Sequence, residues 1–329
     1  MFHDQTILIT GGTGSWGQEL TRKLLESKPK QIRIFSRNEF TQVQMQRVFP
    51  NHESLKFIIG DVRDELAVDA ACRNVDYVFH LAALKHVPIC ESQPEEALKT
   101  NVQGTENVIR ASIRHRVKKV IDVSTDKAVD PINFYGMTKA FGEKLVLRAN
   151  DLSDTTRFVC IRGGNVLGTN GSVVPFFKSC VLRGDDLPIT SKEMTRFFLT
   201  ISEAIDLLLS AARVAIGGET FVMQMNACRI VDVANVLIKR LAKKEIKLKE
   251  VGIRPGEKLH EVLVSAHESP YTYRYSEQYF VILPSHASTE LNDRYSHLPK
   301  TESVEYASND KLMTDSEIEA MLEKGGFLC

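Results

Sequence analysis

Only one tryptophan occurs in 329 residues, and no apolar run reaches the roughly 18 residues a membrane-spanning helix requires. Six cysteines, at positions 72, 90, 160, 180, 228 and 329, lack the paired short spacings of a zinc site and the density of a disulfide scaffold. They read as reduced and mostly structural, and no metal site is expected. Neither sign of charge is in excess: lysine plus arginine and aspartate plus glutamate each total 42, so no overall basic field draws nucleic acid or an anionic membrane. The opening Met1-Phe2-His3-Asp4-Gln5 has no signal-peptide pattern, and the expected compartment is the cytoplasm. Repeats and low-complexity tracts are also missing. What remains, at 43% hydrophobic, suffices for one large or two modest domains.

Strand-like runs at 6–10, 31–35, 55–59, 77–81, 119–124 and 157–162 alternate with helical patterns at 14–27, 95–114 and 134–150. That alternation predicts an α/β fold, a doubly wound parallel sheet with helices on both faces and ligands beyond the carboxyl ends of the strands. The pattern loosens after Arg162, where Gly163, Gly164, Gly168 and Gly171 cluster before Val173-Val-Pro-Phe-Phe177, Leu187-Pro-Ile-Thr190 and a helix near 202–215. The expected division is a dinucleotide-binding domain over 1–165, joined again by segments around 192–230, and a smaller substrate domain over 166–329. Residues 285–311, polar and irregular, read as a loop or an arm packed on a neighbour.

The first strand, Thr6-Ile-Leu-Ile-Thr10, runs into Gly11-Gly-Thr13-Gly14-Ser15-Trp16-Gly17 and then an amphipathic helix. Glycines at 11, 14 and 17 allow a tight turn, close approach of backbone to a pyrophosphate and close helix-to-strand packing. The second strand ends Ser36-Arg37, where an NAD enzyme commonly places an acidic residue. A hydroxyl and a guanidinium can instead hold a ribose 2′-phosphate, so NADP is favoured over NAD; the alternative is that Arg37 merely solvates a strand end. Asp61, followed by Val62, either accepts from an adenine amino group or caps a helix. Ala82 and Ala83 offer small side chains against the cofactor, Asn101 anchors the next helix near the nicotinamide ribose, and His80 reads as a structural histidine.

Between Ser124 and Lys139 the chain gathers Thr125, Asp126, Lys127, Tyr135 and Lys139. Tyr135 and Lys139 are four apart and share a face if Phe134 opens a helix, so the ammonium can acidify the phenol. Asp126 and Lys127 form a second acid/base pair, or else a solvated salt bridge at a strand end.

These residues resemble an extended short-chain dehydrogenase/reductase, and within it the UDP-N-acetylglucosamine 4,6-dehydratases, including the 5-inverting enzymes of pseudaminic acid synthesis. The carriers span about residues 5–270: the glycine turn, Ser36-Arg37, Ala83-Leu-Lys-His-Val-Pro88, Ser124-Thr-Asp-Lys-Ala128, Tyr135-Gly-Met-Thr-Lys139, Gly164-Asn-Val166, Gly171-Ser-Val-Val-Pro-Phe-Phe177, Met194-Thr-Arg196 and Ile253-Arg-Pro-Gly-Glu-Lys-Leu-His-Glu261. Lysine at 127 departs both from epimerases, with small hydroxyl residues there, and from glucose-nucleotide dehydratases, with Asp-Glu.

The resemblance implies a tightly bound, recycled NADP or NAD and UDP-N-acetylglucosamine as substrate. Tyr135 and Lys139 would serve oxidation at C4, Lys127 would take the C5 proton, Asp126 would protonate the departing C6 hydroxyl, and Thr125 would hold the C4 oxygen. It implies a UDP pocket built from Asn165, a turn at Val174 and Pro175, Lys178, Pro188, Ile189, Thr190, Arg196, Arg254 and Glu257, with Lys85 reaching the sugar. Phe176 and Phe177 read as core before nucleobase platform, and Glu257 and His260 as braces for Arg254. A homo-oligomer paired through helices 95–114 and 134–150 is expected. The alternatives are a nucleotide-sugar epimerase on the same scaffold and, more remotely, a non-catalytic dinucleotide sensor.

Overall fold

The computed structural model describes residues 1–50, 52–169, 172–302 and 304–328. The chain runs β1 (Thr6–Thr10), α1 (Ser15–Leu25), β2 (Gln31–Ser36), α2 (Glu39–Val48), β3 (Leu55–Ile59), α3 (Glu65–Cys72), β4 (Tyr77–His80), α4 (Val87–Ser92), α5 (Pro94–Leu98), α6 (Gly104–Arg114), β5 (Lys119–Thr125), α7 (Phe134–Arg148) and β6 (Arg157–Gly163). It continues through β7 (Asn165–Val166), α8 (Val173–Arg183), β8 (Leu187–Ile189), β9 (Thr195–Leu199), α9 (Ile201–Val214), β10 (Thr220–Met223), β11 (Asn226–Arg229) and α10 (Ile230–Leu241). The last elements are β12 (Leu248–Glu250), β13 (Val262–Val264), β14 (Thr272–Ser276), β15 (Tyr279–Ile282), α11 (Thr289–Tyr295), β16 (Tyr306–Ala307) and α12 (Asp315–Lys324).

Nine strands form one sheet in the order β14-β15-β10-β6-β5-β4-β1-β2-β3, parallel from β3 to β10 and antiparallel at β15 and β14. The fold is a Rossmann doubly wound sheet, and the alternation of side chains along β1 shows why both faces are covered. Ile7 and Ile9 join the core layer that holds Leu20 and Leu24 of α1 and Ile205 and Leu208 of α9. Leu8 joins the opposite layer, with Val68 of α3, Val108 of α6 and Val146 of α7. The order reverses at β1, where β2 and β4 flank it on opposite sides, and that switch point opens a crevice at the strands' carboxyl ends.

A separate apolar layer gathers Val174 and Phe177 of α8, Leu187 and Ile189 of β8, Val233 and Leu237 of α10, and Ile318 and Leu322 of α12. Three differences from the sequence reading have physical causes. The helix expected over 95–114 is interrupted by a π-helical stretch at Lys99–Gln103, where Asn101 spends its side chain on neighbouring segments. Residues 173–177 are the first turn of α8, with Pro175 tolerated because early helical positions need no N–H partner. Finally, α11 within 285–311 packs on its own chain: Leu291 and Tyr295 are buried, and the Tyr295 hydroxyl donates to Glu219. No helix among the described residues is long and apolar enough to cross a membrane.

Candidate active site

A cavity of about 1310 Å³ lies over the switch point and continues to α8, β8 and the 254–261 segment. It exceeds the several hundred cubic ångströms of a single small-ligand pocket and has room for two ligands end to end. Gly11, Thr13, Gly14, Ser15, Trp16 and Gly17 line one end with Ser36, Arg37, Asp61, Val62, Ala82 and Ala83. Gly17 lies so close to the β1–α1 turn that a Cβ there would stand 2.3 Å from the Gly12 carbonyl oxygen. The N-cap of α1, Gly14, provides no side-chain cap, which leaves the first-turn N–H groups for an anion. This cradle fits a dinucleotide pyrophosphate.

Asp61 does not cap α3; Asp64 does, accepting from Leu66 and Ala67. Asp61 instead takes two hydrogen bonds from Arg63, one at 2.8 Å from Nε, and Arg37 approaches it at 3.8 Å. Burial opposes its ionisation, but Arg63 and Arg37 outweigh that and hold the carboxyl below its ordinary range. The Ser36 hydroxyl accepts from Gln42 at 3.0 Å and keeps its own proton to donate. Asn101 is fully buried: it accepts from Leu84 N at 2.8 Å and donates to Leu84 O and Thr138 Oγ1, so it fastens the β4–α4 loop to α7 rather than facing the cavity. His80 bridges Thr10 Oγ1 at 2.7 Å and Thr105 Oγ1 at 3.0 Å, and burial with the Lys139 charge lowers its pKa to about 3. It is a neutral structural histidine.

The catalytic-type side chains meet where α7 abuts the turn after β5. Asn133 caps α7 by accepting from Gly136 N at 2.7 Å and donates to Gly256 O at 2.8 Å, which ties the helix to the 254–261 segment. A Cβ on Gly136 would stand 2.1 Å from Lys127 O, so glycine there lets the helix and turn touch. Thr125, Lys127, Tyr135 and Lys139 line the cavity together. Lys139, itself buried, lies 3.4 Å from Asp122 Oδ2 behind it. Burial pushes the Asp122 carboxyl up to about 6, partly countered by Lys139.

The ionisation of Tyr135 differs from expectation. Burial of Tyr135 outweighs the pull of Lys139 and Lys127, so its phenol lies above, not below, the ordinary value. Burial alone would favour a neutral Lys127, but it lies 3.0 Å from Asp126 Oδ1 and 3.5 Å from Glu261 Oε1, and the two carboxylates hold it above the ordinary lysine range. Asp126 is fully buried beneath the wall, not on it. Its Oδ1 accepts from Thr125 Oγ1 at 2.8 Å and from Lys127, while Oδ2 has no partner among the described residues.

Lys85, Asn165, Val174, Pro175, Pro188, Thr190, Arg196, Arg254 and Glu257 also line the cavity, whereas Lys178 and Ile189 stand off its wall. Asn165 accepts from Lys127 at 3.4 Å. Partial burial and the Lys127 charge lower Lys85. Arg196 was expected on a diphosphate, but it donates to the carbonyls of Thr195, Lys258 and Leu259 and approaches Glu261 at 3.6 Å, so most of its fork is spent inside the protein. Arg254 is exposed, with Glu257 at 3.9 Å; His260 does not brace it but pairs with Thr195 Oγ1 at 2.8 Å. Phe177 is core and Phe176 is half exposed on the cavity. Gly171 and Cys329 lie outside the described residues; the other five cysteines are buried and free. No group of metal-ligating side chains occurs among the described residues.

Residues 7–283 match the family described as polysaccharide biosynthesis protein. The chain belongs to that family. Within it, the chain is 46% identical over 289 residues to a UDP-N-acetylglucosamine 4,6-dehydratase (inverting) of Campylobacter jejuni, covering 87% of this chain and 84% of the relative. It is 45% identical over 274 residues to a UDP-glucose 4-epimerase of Rickettsia akari, covering 82% of this chain and 80% of the relative. Among solved structures, Pen from Bacillus thuringiensis superposes with a TM-score of 0.92 at 36% identity over 100% of both chains. The dTDP-glucose 4,6-dehydratase DesIV of Streptomyces venezuelae, solved with NAD bound, shares the fold at a TM-score of 0.71 and 22% identity, over 77% of this chain and 86% of its own.

Glu261 is the wall residue that sequence reasoning left without a role. It stands at the end of the Arg254–Glu261 motif and is buried, with Oε2 unpartnered among the described residues. Its spacing from Lys127 along the chain carried no signal; only the motif's length did.

Proposed function

We infer that this family member is a hydro-lyase, a UDP-N-acetylglucosamine 4,6-dehydratase that yields a UDP-4-keto-6-deoxy sugar with inversion at C5. The observation that carries this reading is the Lys127–Glu261–Asp126 cluster beside Tyr135, because 4-epimerisation needs an oxidation at C4 and nothing to remove a C5 proton or a C6 hydroxyl. The names of the Campylobacter relatives support dehydration and inversion; the rickettsial epimerases support the scaffold only.

A nicotinamide dinucleotide, when bound, supplies the means to take a hydride from C4 and return one to C6, so no external reductant is consumed. Tyr135 takes the C4 hydroxyl proton. Lys139 and Lys127 pull its phenol down against burial, and a bound oxidised nicotinamide would add positive charge in the same sense. Thr125 hydrogen-bonds the C4 oxygen. The resulting carbonyl acidifies C5–H, and Lys127, once it has shed a proton, removes it. Arg254 meets the diphosphate and Lys85, close enough to feel the Lys127 charge, reaches the sugar, with the α8 start and Pro188–Thr190 around uracil and Phe176 as the open aromatic face.

Ser36 and Arg37 favour NADP. The layer built on α8, α10 and α12 serves as the substrate domain, and the chain works in the cytoplasm. Leu98, Met137 and Phe141, exposed on helices of the expected pairing face, support a homo-oligomer. Incubating the enzyme, loaded with NADP or with NAD, with UDP-N-acetylglucosamine and following the products by NMR tests the reading. A 6-deoxy methyl signal, formed faster with NADP, is expected; a C4-epimerised sugar retaining its C6 hydroxyl would overturn it.

A further inference from the structure

We propose that Asp122 is a positioning residue for the oxidation step: from within β5 it holds Lys139 as an ammonium, so that the lysine acts on the Tyr135 phenol to a higher pH than burial alone would allow. This rests on the C4 oxidation of the proposed function and not on the elimination that follows it. Asp122 lies mid-strand in Val120-Ile-Asp-Val123 and is fully buried. Alternation along β5 puts it on the side of Val120, in the layer that holds Val146 of α7. Its Oδ2 lies 3.4 Å from Lys139 Nζ, and Oδ1 has no partner among the described residues. A carboxylate sunk in an apolar layer with one oxygen unused costs stability, so packing does not account for it. What it supplies is negative charge to a lysine that lines the cavity together with Tyr135.

The other groups around the pair are engaged elsewhere or neutral. Glu143, one turn on from Lys139 in α7, is gripped by Arg162 of β6 through Nε at 3.1 Å and Nη2 at 2.7 Å, and Arg162 also holds Glu268 at 2.9 Å. Cys160, opposite Asp122 on β6, is kept a thiol by burial, and His80, opposite it on β4, is neutral. Lys127 and Asp126, in the turn after β5, act on Tyr135. Asp122 is therefore the one ion-pair partner of Lys139 among the described residues. Burial opposes the Lys139 charge; Asp122 foremost, then Tyr135, Cys160 and Glu143, outweigh it and hold the lysine above its ordinary value. The Asp122 carboxyl, pushed up to about 6, is an anion wherever a lysine titrates. Asp122→Asn keeps the shape and removes the charge. Burial then acts on an ammonium that has lost its strongest support, so the proton leaves at lower pH. Above that pH the neutral amine no longer acidifies Tyr135, and C4 oxidation falls.

The test reads Lys139 without cofactor and with it. In unliganded protein isotope-labelled at lysine Cε, the Lys139 NMR signal, identified by its absence in Lys139→Met, is titrated in wild type and in Asp122→Asn. The dinucleotide-loaded enzymes are then mixed with UDP-N-acetylglucosamine over the same pH range, and the absorbance of reduced nicotinamide is followed. A Lys139 titration about one to three pH units lower in Asp122→Asn is expected, with the alkaline fall in nicotinamide reduction displaced in the same direction. Urea unfolding of Asp122→Asn, Lys139→Met and the double variant keeps a folding effect apart: each single variant lowers the midpoint by leaving a buried group unpaired, and removing both recovers part of the loss. A Lys139 titration or an alkaline limb unmoved by Asp122→Asn overturns the proposal, as does a double variant whose loss equals the sum of the two singles. Wild-type enzyme that never reduces its nicotinamide on UDP-N-acetylglucosamine refutes the C4-oxidation reading instead, while the Lys139 titration still decides the pairing.

Discussion

Tyr135, Lys139, Thr125 and Lys127 were legible because they fall within a short stretch, and strand and helix periodicity alone places them at the carboxyl ends of β5 and its neighbours. Their charge states were not legible. A Tyr-x-x-x-Lys spacing suggests an acidified phenol, yet burial wins in the fold; Lys127 is held as a cation by Asp126 beside it and, further, by Glu261, which arrives from far along the chain. His80 gives the residue-scale prediction. Its pKa falls from 6.5 to about 3 because burial excludes the charged form. A depressed folded-state value means that stability is fully present above about pH 6.5 and is lost as the unfolded chain takes up the proton on acidification toward pH 3, up to about 5 kcal/mol in all. Urea unfolding at a series of pH values should show a shallower loss across this window in His80→Gln than in wild type. Equal slopes would mean His80 is charged in the fold.

Among elements, α1 and α7 are positioned by glycines whose need is steric, and that need is only partly visible in sequence. Gly17 belonged to a recognisable turn; Gly136, inside a helix, gave no sign that its missing Cβ lets α7 rest on the Lys127 carbonyl. Asn101 was legible as a special position in a helix but not as the clasp of a π-helical stretch, since its partners at Leu84 and Thr138 belong to other segments. Gly17→Ala would push a methyl to 2.3 Å from the Gly12 carbonyl and force α1 away from the turn. The expected result is a loss of about 2 kcal/mol or more and a roughly tenfold or larger fall in dinucleotide affinity, read by urea unfolding and cofactor titration. The contrasting Gly14→Ala, whose Cβ would meet only the Gly11 carbonyl oxygen at 3.3 Å, is milder. Equal effects of the two would show that helix placement does not govern the anion cradle.

At the scale of the whole molecule, strand alternation was enough to give the parallel sheet, but not its antiparallel extension by β15 and β14, because those strands lie beyond the recognisable motifs. The C-terminal segment was opaque for the same reason: its polar composition reads as an arm, and only the fold reveals that Ser308 grips the Glu261 backbone while Tyr295 closes the core. Sheet, α8–β8 layer and 254–261 segment line one cavity, with the C-terminal segment bracing Glu261 from behind; on the proposed reading a sugar is oxidised, dehydrated and reduced there without leaving. The most direct measurement of that claim uses UDP-N-acetylglucosamine carrying deuterium at C4 of the sugar. The account predicts a 4-keto-6-deoxy product whose methyl group bears the deuterium, transferred within the same molecule. Deuterium still at C4 of an epimerised sugar, or a methyl group without it, would contradict the account.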